Sequence, residues 1–149
     1  MITLRPYQAE GLSAIWQYYE QGNTGNCVIS WPTGTGKSIV PAMFINEVMK
    51  LWPSQRFLVI THVKELIKQN FDVMMKIWPT APAGIYSAGL KQRDIQLPII
   101  FGGIQSMYRV AQRFGHRDII FIDEAHLVND HDSSMYLEFL AVMKLINPY

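Results

Sequence analysis

The chain is poor in cysteine. Cys27 is its only one, which excludes an internal disulfide framework and a cysteine-based zinc site. An excess of charge of one sign is missing too. Thirteen Lys and Arg stand against twelve Asp and Glu, a formal charge of +1. That excludes a polybasic nucleic-acid coat and a polyacidic tail, while a local basic patch stays open. No apolar run approaches the ~20 residues a helix needs to cross a bilayer. The residues after Met1 (Ile2, Thr3, Leu4, Arg5, Pro6) carry no apolar core of signal-peptide length. Repeats, low-complexity tracts and Pro/Gly/Ser-rich linkers are lacking, so residues 1–149 are expected to form one domain. Apolar residues make up 49% and charged residues 17%, enough to bury a core. A soluble, cytoplasmic domain is the expectation.

What is present is an alternation of short β-rich runs and helical patterns, which predicts an α/β fold with a parallel sheet covered by helices. Pro6 opens a helix, with Leu12, Ile15, Trp16 and Tyr19 on one face. Residues 22–26 read as a turn and Cys27 to Trp31 as a short buried strand. A Gly-bearing loop, 32–36, leads into a helix ending near Leu51. Pro41 sits awkwardly in that helix and predicts a kink or a shifted start. Arg56 to Thr61 is a second strand, and the next helix carries Leu66, Ile67, Asn70, Phe71 and Met74 at helical spacing before Pro79. Further strands are expected at 84–86, at 98–101 with Gly102-Gly103 closing it, and at 118–123. Residues 91–96 read as a loop or short helical turn, and 128–132 as a polar loop. Ser133 or Ser134 is expected to cap a final helix to about Ile146, broken by Asn147-Pro148.

Residues 32–38 read Pro-Thr-Gly-Thr-Gly-Lys-Ser, after a predicted strand and before a predicted helix. Gly34 and Gly36 let the backbone curl so that its N–H groups converge on phosphate oxygens, and the helix N-terminus adds a favourable dipole. Lys37 is suited to the β- and γ-phosphates, and the Ser38 hydroxyl to a Mg²⁺ ion. At position 31, where the strict pattern has a further Gly, this chain has Trp31. That position falls at the strand end, outside the phosphate turn. An ordinary Gly-bearing turn is the competing explanation, and the attached Lys-Ser argues against it.

Residues 119–126 read Ile-Ile-Phe-Ile-Asp-Glu-Ala-His. This apolar strand ends in two carboxylates, at the end where ligands sit in open α/β sheets. Asp123 is the candidate Mg²⁺ carboxylate and Glu124 the candidate general base for an attacking water. His126 is placed to sense the γ-phosphate region or a neighbouring domain. Acids also flank many buried strands simply to solvate the terminus. His126, Asp130, His131 and Asp132 could form a transition-metal cluster, but no ligand pair on a rigid element supports it. Lys91, Arg93, Arg109, Arg113 and Arg117 give the middle of the chain a positive excess, which reads most simply as solvated surface.

Thr33-Gly34-Thr35-Gly36-Lys37-Ser38 and Asp123-Glu124-Ala125-His126 resemble motifs I and II of superfamily 2 helicases, in the DEAH-box spelling. Leu4-Arg5-Pro6-Tyr7-Gln8 resembles their adenine-recognition segment, residues 58–69 motif Ia, and residues 102–106 motif Ib. The order is the family's, and the resemblance spans nearly the whole chain. It is nearest in kind to RadD-like helicases, which residues 61–70, 87–91 and 101–106 resemble most, and to restriction-enzyme motor subunits (type III and type I).

The resemblance implies an N-terminal RecA-like lobe that binds ATP and Mg²⁺. Thr33, Gly34, Thr35, Gly36, Lys37 and Ser38 would hold the phosphates, and Ser38 with Asp123 the metal. Lys37, Asp123 and Glu124 would be catalytic, with His126 coupling. Gln8 would hydrogen-bond the adenine edge, with Arg5 or Tyr7 near the base. Thr61, His62, Lys64, Gln105 and Ser106 would line a nucleic-acid track through backbone phosphates. Capping by Thr61 and Ser106 is the alternative.

The family's motif III and its second lobe do not appear. A sheet lacking its middle strand and exposing strand edges is therefore expected, with little hydrolysis by this chain alone. The function implied is the ATP-binding lobe of a DNA helicase or translocase acting within a longer protein. An RNA helicase lobe, a P-loop kinase of small molecules and a non-catalytic binding module are the alternatives. The paired Asp123 and Glu124 argue against the kinase. DNA is the expected partner and RNA the lesser one, with no membrane.

Overall fold

The computed structural model describes residues 2–30 and 36–148. Helix α1 (Pro6–Glu20) begins on Pro6, whose missing N–H costs nothing in a first turn. Gln8 Oε1 accepts from Arg5 N at 2.8 Å and so satisfies a backbone donor at this helix start. Helix α2 (Ile39–Leu51) starts beyond Lys37 and Ser38. Pro41 therefore falls in its first turn, where no intrahelical bond is lost, so the shifted start is the outcome.

Strands β1 (Phe57–Thr61), β2 (Ala83–Ser87), β3 (Gln92–Arg93), β4 (Ile99–Gly103) and β5 (Ile119–Ile122) form one sheet in the order β3-β2-β4-β1-β5. All pairs are parallel except the β2–β3 hairpin. Helix α3 (Lys64–Ile77) links β1 to β2. Helix α4 (Ile104–Met107) and the tighter turns of Tyr108–Phe114 lead from β4 towards β5, and α5 (Asp130–Ile146) follows it.

The strand alternation sorts the core onto two faces. Phe57, Val59, Ile99 and Phe101 pack against α1, α2 and α3, whereas Leu58, Ile60 and Ile100 pack against α4, Tyr108–Phe114 and α5. With helices on both faces, β1 and β4 are buried along their whole length.

Several expectations are corrected. Asn26–Ser30 form no strand and are exposed, and Trp31 lies outside the described residues. A strand needs a neighbour, and the outer edge of β5 is separated from this segment by a cavity of about 830 Å³, lined by Cys27–Ser30 and by Ile119–Ile122. A strand fills roughly 160 Å³ per residue, from ~4.8 Å between strands, ~10 Å between packed layers and ~3.3 Å of rise. The cavity is therefore large enough to admit a strand segment of several residues.

Strand β4 runs through Gly102 and closes on Gly103, as expected. A Cβ on Gly102 would run into Met107 and the Tyr86 carbonyl. Residues 91–96 contain the short strand β3. Helix α5 starts before the serines, because Asn129 Oδ1 accepts from Asp132 N at 2.8 Å and supplies the cap. Among the described residues no helix is long and apolar enough to cross a membrane.

Candidate functional site

The site is built at the C-terminal end of the sheet. Asp123 N donates to Ile60 O at 2.9 Å, extending the β1–β5 ladder one residue past the strand. The chain then turns sharply: Glu124 has φ 55 and ψ 37, a left-handed conformation costing a side-chain-bearing residue roughly 1–2 kcal/mol. Strain of that kind concentrates where function needs a particular placement. Here it accompanies a Glu124 carboxylate that is mostly buried, with Oε1 2.7 Å from Lys37 Nζ.

Lys37 sits in the turn before α2, which Gly36 opens at φ +70, a conformation that favours glycine. Gln8 Nε2 donates to Gly36 O at 3.0 Å, so the first turn of α1 braces the turn before α2. Gln8 is buried and its amide serves both this bond and the one from Arg5 N. Arg5 Nη1 donates to the Tyr7 hydroxyl at 3.2 Å, near the surface. Thr33, Gly34 and Thr35 lie outside the described residues.

Ser38 occupies the N-cap of α2 without using its side chain as a cap. With Lys37, Asp123, Glu124 and His126 it lines the cavity beside β5. Asp123 Oδ1 accepts from Glu124 N at 3.0 Å, and Oδ2 accepts from Asn70 Nδ2 at 2.9 Å. Each oxygen keeps acceptor capacity. A carboxylate and a hydroxyl are the hard oxygen donors that suit Mg²⁺ and its waters, so the residues fit that ion.

His126 Nε2 lies 3.3 Å from Glu124 Oε2, in ion-pair range. Hydrogen-bond geometry is lacking there, and Oε2 has no hydrogen-bond partner among the described residues. The Tyr136 hydroxyl, on α5, is likewise buried without a partner among them. Burial, then Asp132 and Asp123, push its phenol well above the ordinary value, so it stays neutral. Among the described residues no three His, Cys, Asp or Glu side chains converge as a metal cluster.

The remaining candidates gather at the ends of β1 and β4. Gln105 Nε2 donates to His62 O at 3.0 Å, tying the two strand ends together. Ser106 Oγ accepts from Ala88 N at 3.0 Å and so reaches the β2–β3 turn. Lys64 packs against Gly89 of the same turn. Thr61 is buried, and its hydroxyl accepts from Val63 N at 3.2 Å, shaping the turn into α3 and presenting no open face. His62 Nδ1 is buried without a partner among the described residues.

Two residues that matter were read as ordinary from the sequence. Asn70 was one position on a helical face. Arg117 reads in the sequence as one more solvated surface charge, whereas it is 3% exposed at the opposite end of the sheet. Its guanidinium donates to the carbonyls of Phe114, Phe57, Leu97, Pro98 and Ile95. A polar residue in an apolar helical stripe was the only signal for Asn70, and none in the sequence marked Arg117.

The family described as type III restriction enzyme, res subunit, has a model that matches residues 1–148. No curated protein matches the chain.

Proposed function

Since the chain belongs to the type III restriction enzyme res subunit family, we propose that it is the N-terminal ATP-binding lobe of a DNA helicase or translocase. The motor hydrolyses ATP with Mg²⁺ to move on the nucleic acid. The observation that carries this reading is the Lys37–Glu124 contact of 2.7 Å, which joins the start of α2 to the end of β5 beside Asp123.

The geometry supports a sequence of partner exchanges. A bound triphosphate offers Lys37 a stronger partner than Glu124, since its oxygens carry more charge. Losing Lys37 frees Glu124 Oε1 to take a proton from the attacking water. His126 lies within ion-pair range of the other carboxylate oxygen and would couple Glu124 to the γ-phosphate region. Asp123 and Ser38 would hold Mg²⁺, which when bound would offset the charge of the phosphates. Gly36, braced by Gln8, keeps the phosphate turn open, and Arg5, Tyr7 and Gln8 would take the base.

His62, Lys64, Gln105 and Ser106 take the nucleic-acid backbone at the joined ends of β1 and β4, with Thr61 supporting them from inside. DNA is the preferred strand, on the resemblance to restriction and repair motors. The cavity beside β5 supports a lobe that accepts one more strand. A second RecA-like lobe then closes over the nucleotide.

Fluorescent ADP titrated into the chain, with and without Mg²⁺, tests the nucleotide reading. Saturable binding that weakens at least about tenfold in Lys37→Ala is expected, equal to ~1.4 kcal/mol. No binding, or equal binding by both proteins, would overturn it. Anisotropy titrations with single-stranded DNA and RNA at one salt concentration test the partner. Tighter binding of RNA would replace the DNA reading.

A further inference from the structure

Asn70 lies midway along α3, between Ile67 and Met74 on the face that packs against the sheet. It is 5% exposed, the depth of a core position. A buried carboxamide needs hydrogen-bond partners, or its burial is unfavourable. Its Nδ2 donates to Asp123 Oδ2 at 2.9 Å, across 53 residues of sequence. On the other oxygen, Oδ1 accepts from Glu124 N at 3.0 Å. The carboxylate is thus gripped at both oxygens by neutral N–H donors on separate elements, one in α3 and one in the turn after β5. Two such bonds fix both the position and the plane of the group.

The residue type is informative. An amide donates without adding charge, so it orients Asp123 and leaves its negative charge uncompensated. Lys or Arg in the same place would neutralise it, and Asp would repel it. Leu or Met would satisfy the apolar face better but orient nothing.

We propose that Asn70 is the positioning residue of the Mg²⁺ carboxylate: the Nδ2–Oδ2 hydrogen bond holds Asp123 in the orientation that receives the cation. The inference rests on the nucleotide reading above. The competing account is that Asn70 merely fastens α3 to β5, in which case it affects stability and nothing else.

The test is the Mg²⁺ dependence of fluorescent ADP binding by the unaltered chain and by Asn70→Leu, which keeps the bulk and removes the donor. The Mg²⁺ concentration for half-maximal gain in affinity is expected to rise about tenfold in Asn70→Leu, the usual loss when a ligand's supporting partner is removed. Affinity in EDTA stays unchanged, because Lys37 and the phosphate turn are untouched. In an Asp123→Asn background, Asn70→Leu adds no further change. A lowered melting temperature with an unchanged Mg²⁺ dependence overturns the proposal while leaving the nucleotide reading intact. Failure of the unaltered chain to bind ADP under either condition overturns both.

Should Asn70→Leu not fold, the unaltered chain carries the test by NMR. The Asn70 side-chain NH₂ resonance is expected to shift when Mg²⁺ is added to the ADP complex. A stationary resonance overturns the proposal.

Discussion

The two ends of the sheet are built on opposite principles. At the N-terminal end, the Arg117 guanidinium is buried and donates to five carbonyls contributed by Phe57, Ile95, Leu97, Pro98 and Phe114. Beside it, Asp118 Oδ2 accepts from Arg56 N at 2.8 Å, and Asn147 Nδ2 donates to Arg117 O at 3.0 Å. Burial, then the Arg56 charge, lower the Arg117 guanidinium to about 10, so it is still charged at neutral pH. At the C-terminal end the charged groups hold one another, and the proposed nucleotide would replace those partners. Lys37 holds Glu124, Glu124 sits in a strained conformation, and His62 Nδ1 and Glu124 Oε2 are buried without hydrogen-bond partners among the described residues. Polar groups fully satisfied from within act on stability. Polar groups left with exchangeable or missing partners are the ones that the proposed nucleotide would meet. The same sheet separates the two tasks by its length.

Substitutions at the two ends should therefore fail in different assays. The largest effect belongs to the closed end. Arg117→Met leaves several buried carbonyls without donors and is expected to lower stability by about 3 kcal/mol or more. Urea denaturation measures it, and nucleotide affinity of the folded protein should not change. A loss below ~1 kcal/mol would mean that water replaces the guanidinium and that this end is not closed.

Next comes Glu124→Gln, which relieves a buried carboxylate and removes the proposed base. Nucleotide binding persists, whereas hydrolysis by the proposed motor falls by about a hundredfold or more. Lys37→Ala is smaller, an affinity loss of about tenfold with a stability change under ~1 kcal/mol, read by calorimetric titration and thermal melting together. The smallest effect is expected for Gln8→Ala. It loses the brace on Gly36 and the bond from Arg5 N, about 1 kcal/mol of stability, with a several-fold weaker affinity for ADP. Equal losses in both assays for all four variants would erase the distinction between the ends.

Much of the open end was legible in the sequence, because its chemistry is carried by short contiguous motifs. Gly36-Lys37-Ser38 and Asp123-Glu124 announce themselves by residue type and order. The long helices α1 and α3 and the strands β1, β4 and β5 follow from periodicity. What was not legible depends on neighbours distant in sequence. Cys27 to Ser30 has a strand's composition, but composition cannot reveal that a cavity separates it from the edge of β5. Asn129 and Ser133 are both good caps, and only the geometry selects Asn129. The packing of Met107 on Gly102 is equally out of reach of composition. Arg117 looks like any surface cation in a mildly basic stretch. Its carbonyl partners include backbone up to 60 residues away, so nothing local marks it as buried. Asn70 escapes notice for the same reason.

The partner exchange of Lys37 is the central claim, and a crystal structure of the chain with Mg²⁺ and a non-hydrolysable ATP analogue tests it most directly. The account predicts Lys37 Nζ on the phosphates, the 2.7 Å contact with Glu124 Oε1 broken, and Asp123 still bonded to Asn70. An analogue bound while Lys37 and Glu124 remain paired, or bound away from the end of β5, would contradict it.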